Sequence, residues 1–299
     1  MLKGDTDGLA IDGQNSVRAL YINTAAEVTL KNISIRNGYM SGGNGGGVHI
    51  AGGTVTMSGG NVSGNTAELG GGVYVASGGI FTMTGGTIGG ADTADKNTSI
   101  SGGAGLYIAS GASFEMNGAD ALVTGNTNSH ASGGGVYVAG GNFALKNGSV
   151  TGNSSDPSGG GVHIAGGSVT VSGGNITGNT SYKGGGVCID GGVFTLSGGA
   201  LSGNASYDDG NGVYVSGGTF NMSGNAAVSS DNDVYLPSGQ TITIGGALTA
   251  PAPAATITPE AYPSGRPRFR CFRAHPPVLQ LMRDVSRWPR SRVRPTSGP

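Results

Sequence analysis

Along most of the chain, hydrophobic residues come in short alternating groups set between glycine runs. The first group of each set reads Leu20-Tyr21-Ile22, Val48-His49-Ile50, Val73-Tyr74-Val75, Leu106-Tyr107-Ile108, Val136-Tyr137-Val138, Val162-His163-Ile164, Val187-Cys188-Ile189, Val213-Tyr214-Val215 and Val234-Tyr235-Leu236. Successive copies are 21 to 33 residues apart, with 25 and 26 recurring, a period that marks stacked supersecondary units. In the copy GGGVHIAGGTVTMSGGNVSGNT two more alternating groups follow, one holding Val55 and Met57 and one holding Val62. Strand side chains alternate between faces, so Val48, Ile50, Val55, Met57 and Val62 point inward while His49 points out. Phe81, Met83 and Ile88, then Phe143, Leu145 and Val150, then Phe194, Leu196 and Leu201 keep the pattern. It predicts an all-β chain: a right-handed parallel β-helix of about nine three-stranded coils over residues 17–245. About five inward apolar groups, each worth roughly 1.5–3 kcal/mol, do not offset the entropy of ordering one coil. Each coil therefore depends on its neighbours.

Glycine accounts for 62 of the 299 residues, and only 11% are charged, which excludes an ordinary globular core with long helices. The glycines follow no three-residue period, so collagen is excluded too. Recurring apolar positions argue against disorder. Gly-Gly pairs such as Gly59-Gly60, Gly85-Gly86 and Gly173-Gly174 supply turns with positive φ. The third strand closes on Gly-Asn at residues 64–65, 125–126, 152–153, 178–179 and 203–204. Asparagines repeated at the interstrand spacing are expected to form a hydrogen-bonded ladder, with Asn itself tolerating the left-handed region. Length variation is confined to the segment between this Asn and the next glycine run, and predicts loops at one corner.

Charge divides the chain differently. Residues 1–265 hold 7 Lys/Arg against 16 Asp/Glu, whereas residues 266–299 hold nine Arg, one Asp and the only Trp, Trp288. That abrupt switch reads as an altered reading frame or foreign sequence rather than a basic nucleic-acid arm. Residues 246–265 are a Pro/Ala-rich extension or partial cap, and residues 1–16 an N-terminal edge that implies a preceding portion. The start MLKGDTDGLAI lacks the basic and apolar regions of a secretory signal, and no apolar run has the length of a membrane span. Cys188 and Cys271 form neither a disulfide framework nor a zinc-ligand spacing. No metal site, cofactor or nucleic-acid partner is expected, and a monomer is.

The combination GGGV(Y/H)(V/I), a Gly-Gly turn and (V/I)(S/T)GN, carried through residues 17–245, resembles the pectate-lyase-like right-handed β-helix repeat proteins. It also resembles the passenger repeats of polymorphic outer-membrane proteins and autotransporters, although Val62, Val123 or Ile176 stands where their FxxN motif has Phe. The resemblance implies an extracellular or cell-surface setting, and it implies no single activity, because the fold hosts enzymes, adhesins and spacers.

Chemistry is sparse on the outward positions. Polysaccharide-cleaving members of the fold gather acids with Lys or Arg on one outer stack, and no such cluster occurs here. Asp208-Asp209 is the only adjacent acidic pair in the repeat region, with Asp209 aligned to Lys183 one coil earlier; an ion pair or solvated corner is the expected role. His163 and Cys188 occupy equivalent outward positions on consecutive coils, with Asp190 further along the same face, so a Cys-His-Asp nucleophilic site is geometrically conceivable. A tolerated substitution in a Tyr/His ladder is the expectation. Tyr74, Tyr107, Tyr137, His163 and Tyr214 form an outward aromatic stripe, expected to be accessible and to offer a track for a polysaccharide or surface protein. Self-stacking is the competing account. The leading functional reading is a non-catalytic surface or secreted protein for adhesion or carbohydrate contact. The alternatives are a polysaccharide-active lyase or hydrolase and a purely structural spacer.

Overall fold

The computed structural model describes residues 9–260, together with the backbone of short strands at Leu2–Lys3, Phe269–Cys271 and Leu281–Arg283. The chain is a right-handed parallel β-solenoid of about ten turns. The alternating groups form three parallel strand stacks. The first contains Leu20–Asn23, Val73–Val75, Leu106–Ile108, Val136–Val138, Val162–Ile164, Val187–Ile189, Val213–Val215 and Val234–Leu236, with residues 48–50 in the gap after the first. Pairing is residue for residue: Tyr107 lies beside Tyr74 and Tyr137, and His163 beside Tyr137 and Cys188. Ala255–Pro259 adds one more member by pairing with Val234–Leu236, and Leu9–Asp12 pairs with Ile33–Arg36. The solenoid thus runs beyond residues 17–245 in both directions. Phe269–Cys271 runs antiparallel to Ala255–Pro259 and to Leu281–Arg283; the rest of the Arg/Pro-rich stretch 266–299 lies outside the described residues.

The interior follows the alternation. Val, Ile and Leu of the first stack face Phe, Met and Leu of the second and Val or Ile of the third, in one continuous buried column. Parallel register places like above like: the Phe81, Phe114 and Phe143 rings stack at 5.3 and 5.0 Å, and Phe194 stacks on Phe220 at 5.1 Å. Val169 separates the two runs.

The corner differs from expectation. Its segments are not simply loops but a fourth parallel stack, made of Tyr39–Asn44, Thr66–Leu69, Thr98–Gly102, Thr127–Asn128, Ser154–Ser158, Thr180–Lys183 and Ala205–Ser206. These strands lack apolar alternation because Ser, Thr and Asn line them, and they pair through polar side chains as well as backbone. Thr66 and Thr98 hydroxyls lie 2.9 Å apart, and Asn128 donates to Ser99 Oγ at 2.8 Å. Length variation enters as insertions around this stack, such as residues 90–97, which include the 3₁₀ turn Thr93–Asp95.

An asparagine ladder joins the third and fourth stacks. It comprises Asn65, Asn97, Asn126, Asn153, Asn179, Asn204 and Asn232, each no more than 4% exposed. From Asn65 to Asn204, Nδ2 donates to the Oδ1 of the next coil at 2.8–3.0 Å and to a carbonyl of the preceding coil at 2.8–3.2 Å. The Oδ1 atoms of Asn97, Asn153, Asn179 and Asn204 also accept a backbone N–H from the preceding coil at 3.0–3.1 Å. Both protons of the amide are thereby used, the requirement for burying so polar a group. The left-handed residue in each Gly-Asn is the glycine (Gly152 has φ +63°), which leaves the asparagine free to turn inward.

The glycine triplets before the first strands that start at Val48, Val73, Val136, Val162 and Val187 answer to the same ladder. In Gly159-Gly160-Gly161 the first has φ +68°; a Cβ on Gly160 would lie 2.4 Å from Thr180 O, and one on Gly161 2.9 Å from Asn179 Nδ2. Replacing Asn153 by Ala strips an acceptor from both the backbone N–H and the side chain of Asn126. We expect the substitution to destabilise the chain by about 3 kcal/mol, as for buried polar groups left unpaired. Urea unfolding measures it, with Asn142→Ala on the exposed edge of the second stack changing stability by less than about 0.5 kcal/mol.

Candidate functional site

The aromatic stripe points outward but is not an open track. Tyr74, Tyr107 and Tyr137 stack face to face at 5.3 and 5.0 Å, His163 continues the column at 4.8 Å, and Tyr214 stacks on Tyr235 at 5.3 Å. Their faces are occupied by one another. The tyrosines are half-buried and His163 is only 3% exposed. The chain that enters the preceding first strand, Leu106–Ile108, runs close beside the Tyr137 ring: a Cβ on Gly102 would lie 3.2–3.5 Å from it. Burial and the neighbouring phenols push Tyr107 up to about 12. Tyr74, Tyr107, Tyr137, His163 and Tyr214, expected to be accessible, thus form a half-sheltered ladder interrupted at Cys188, because strand spacing matches ring-stacking distance.

His163, Cys188 and Asp190 do come together. His163 Nε2 is 3.5 Å from Asp190 Oδ2, and the Cys188 thiol donates to Asp190 Oδ1 at 3.4 Å. The other imidazole nitrogen, Nδ1, is 3.2 Å from the Ser158 hydroxyl. Cys188 is 1% exposed, whereas the Asp190 side chain reaches solvent at 47%. Burial, reinforced by the Asp190 charge, drives the thiol upward and keeps it protonated; burial also lowers His163, against the pull of Asp190. A nucleophilic cysteine needs the opposite, a thiolate favoured by a cationic partner. The cluster as it stands does not activate Cys188.

Asp208 and Asp209 both lie opposite Lys183, since Asp208 N–H donates to Tyr182 O while Gly184 N–H donates to Asp209 O. The ion pair is made by Asp208, with Oδ2 3.7 Å from Lys183 Nζ, and the same ammonium lies 5.0 Å from the Tyr214 ring centre. Asp209 is raised by partial desolvation and then by the charge of Asp208.

The chain also presents a feature that the strand pattern hid. Tyr182 and Tyr207 are 50% and 80% exposed on adjacent coils of the fourth stack, and Tyr207 N–H donates to Ser181 O. They border a shallow recess of about 230 Å³ whose other walls include Asn128, Ser129, Ser155 and Asp156. Each tyrosine follows its ladder asparagine by three residues, a signal available once the corner is read as a strand. No family model, curated protein or solved structure matches the chain.

Replacing Tyr107 and Tyr137 together by Ser removes three stacked contacts. At about 0.5–1.5 kcal/mol per aromatic pair beyond area burial, stability falls by about 2–4 kcal/mol in urea unfolding. An unchanged midpoint would contradict the structural ladder.

Proposed function

We propose that this chain is a non-catalytic binding solenoid, secreted or displayed at a cell surface, that contacts carbohydrate through the fourth stack. The carrying observation is the pair of exposed rings, Tyr182 and Tyr207, beside a recess furnished with hydroxyls, an amide and the Asp156 carboxylate. An aromatic face meets the apolar face of a sugar while the surrounding polar groups accept and donate hydrogen bonds to its hydroxyls. The paired strands Thr180–Lys183 and Ala205–Ser206 set the backbone of both tyrosines on neighbouring coils. A surface location accords with the family resemblance.

The polysaccharide-cleaving alternative is less well supported. Asp208 is held by Lys183, which also lies opposite Asp209, so the ammonium beside the two acids is engaged in an ion pair. The spacer alternative accounts for the solenoid but not for two large exposed aromatic rings on neighbouring coils.

A glycan array probed with the full chain tests the proposal. Binding is expected to at least one glycan class, and Tyr182→Ser with Tyr207→Ser should weaken it tenfold or more without changing the unfolding midpoint. Absence of binding across the array, or binding indifferent to both substitutions, overturns it.

A further inference from the structure

We infer that His163, Cys188 and Asp190 form a binding site for one divalent transition-metal ion of the zinc or cobalt type. Three ligand atoms, one from each residue, lie within 4.8 Å of one another. A tetrahedral ion with metal–nitrogen and metal–oxygen bonds of about 2.1 Å and a metal–sulfur bond of about 2.3 Å spaces nitrogen and oxygen about 3.4 Å apart, and sulfur and oxygen about 3.6 Å. The corresponding distances are 3.5 Å for His163 to Asp190 and 3.4 Å for Cys188 to Asp190. These two distances run to different oxygens of Asp190, Oδ2 and Oδ1, and the Cys188 and His163 ligand atoms lie within 4.8 Å of each other, so a turn of the carboxylate and small side-chain shifts bring the three groups to the edges of a coordination tetrahedron.

The repeat shows that this coil is out of the ordinary twice over. The outward ladder position is aromatic on every other first-stack strand from Tyr21 to Tyr235 and becomes Cys only at 188. Two residues further along, Ala51, Ala76, Ala109, Ala139 and Ala165 occupy five successive coils, and the Cys188 coil alone carries an acid, Asp190. Both departures sit on one coil, Cys188 in the strand Val187–Ile189 directly beside His163 of the preceding coil and Asp190 just past the strand end. Drift in a ladder would not need to bring a thiol and a carboxylate together next to an imidazole.

The surroundings suit an ion. The Ser158 hydroxyl meets His163 Nδ1; with the proton on Nδ1, Nε2 presents its lone pair toward Asp190, the orientation that an outer hydrogen bond gives to metal-ligating histidines. The Asp190 side chain opens to solvent and provides the path of entry. Loss of the thiol proton on binding leaves one thiolate and one carboxylate, which neutralise a dication, and the strand face leaves a fourth position for water. Thiolate and imidazole select zinc or cobalt over magnesium or calcium. The nearby Lys183 is engaged by Asp208.

Titration of the full chain with cobalt(II) tests the site. A thiolate-to-cobalt charge-transfer absorption should appear in the near ultraviolet and saturate at one equivalent, and zinc(II) should displace it. It should persist in Cys271→Ser, disappear in Cys188→Ser, and require at least tenfold more cobalt in Asp190→Asn. Ser158→Ala should weaken binding about tenfold through His163. Should Cys188→Ser fail to fold, Asp190→Asn decides, because it alters a solvent-exposed side chain. No charge-transfer absorption at excess cobalt, a band that survives Cys188→Ser, or an unchanged affinity in Asp190→Asn overturns the assignment.

Discussion

Everything in this solenoid depends on one constraint: each coil must repeat the backbone path of its neighbour at strand spacing, so that every inward group lies over its equivalent. The asparagine ladder enforces it. A buried amide with both protons committed, one to the coil above and one to the coil below, tolerates little slippage, since a shifted register leaves unpaired polar groups inside the protein. The glycine triplets are consequences of the same constraint, because a side chain on Gly161 would strike Asn179 or the next coil's backbone. The Phe column inside and the Tyr column outside follow automatically once like stands over like.

That constraint also sorts the outer surface into structural and available parts. On the first stack, in-register aromatics satisfy one another, and their faces are unavailable to a ligand. On the fourth stack, where polar side chains and the ladder already join the strands, Tyr182 and Tyr207 are left exposed. Where the aromatic column is interrupted, at Cys188, the register that would stack rings sets a thiol beside an imidazole and a carboxylate. A solenoid acquires sites where its repeat is broken, because an unbroken repeat is occupied with holding itself together.

The apolar alternation was sufficient to read the first three stacks and the inward side chains, since period-two patterning is a direct image of a half-buried strand. Gly-Asn recurrence disclosed the ladder at Asn65, Asn126, Asn153, Asn179 and Asn204. Asn97 and Asn232 lack that signal because Lys96 and Asp231, not glycine, precede them. The fourth stack was illegible as strand for a physical reason: it is held by Ser, Thr and Asn side chains and carries no apolar period. Tyr182 and Tyr207 were hidden with it. The proximity of His163, Cys188 and Asp190 followed from register alone, whereas the burial of the first two depended on how the glycine turns fold over the ladder, which no side-chain pattern encodes.

Hydrogen exchange read by mass spectrometry tests most directly the claim that the asparagine–glycine corner holds the coils together. Glycine-rich turns on a protein surface ordinarily exchange fast. Here Gly72, Gly105, Gly135, Gly161 and Gly186 each donate their N–H to the next coil, so peptides spanning the triplets should exchange as slowly as the apolar strands that follow them. Rapid exchange at the triplets, with protection confined to the apolar strands, would contradict this account and make the corner a passive connection.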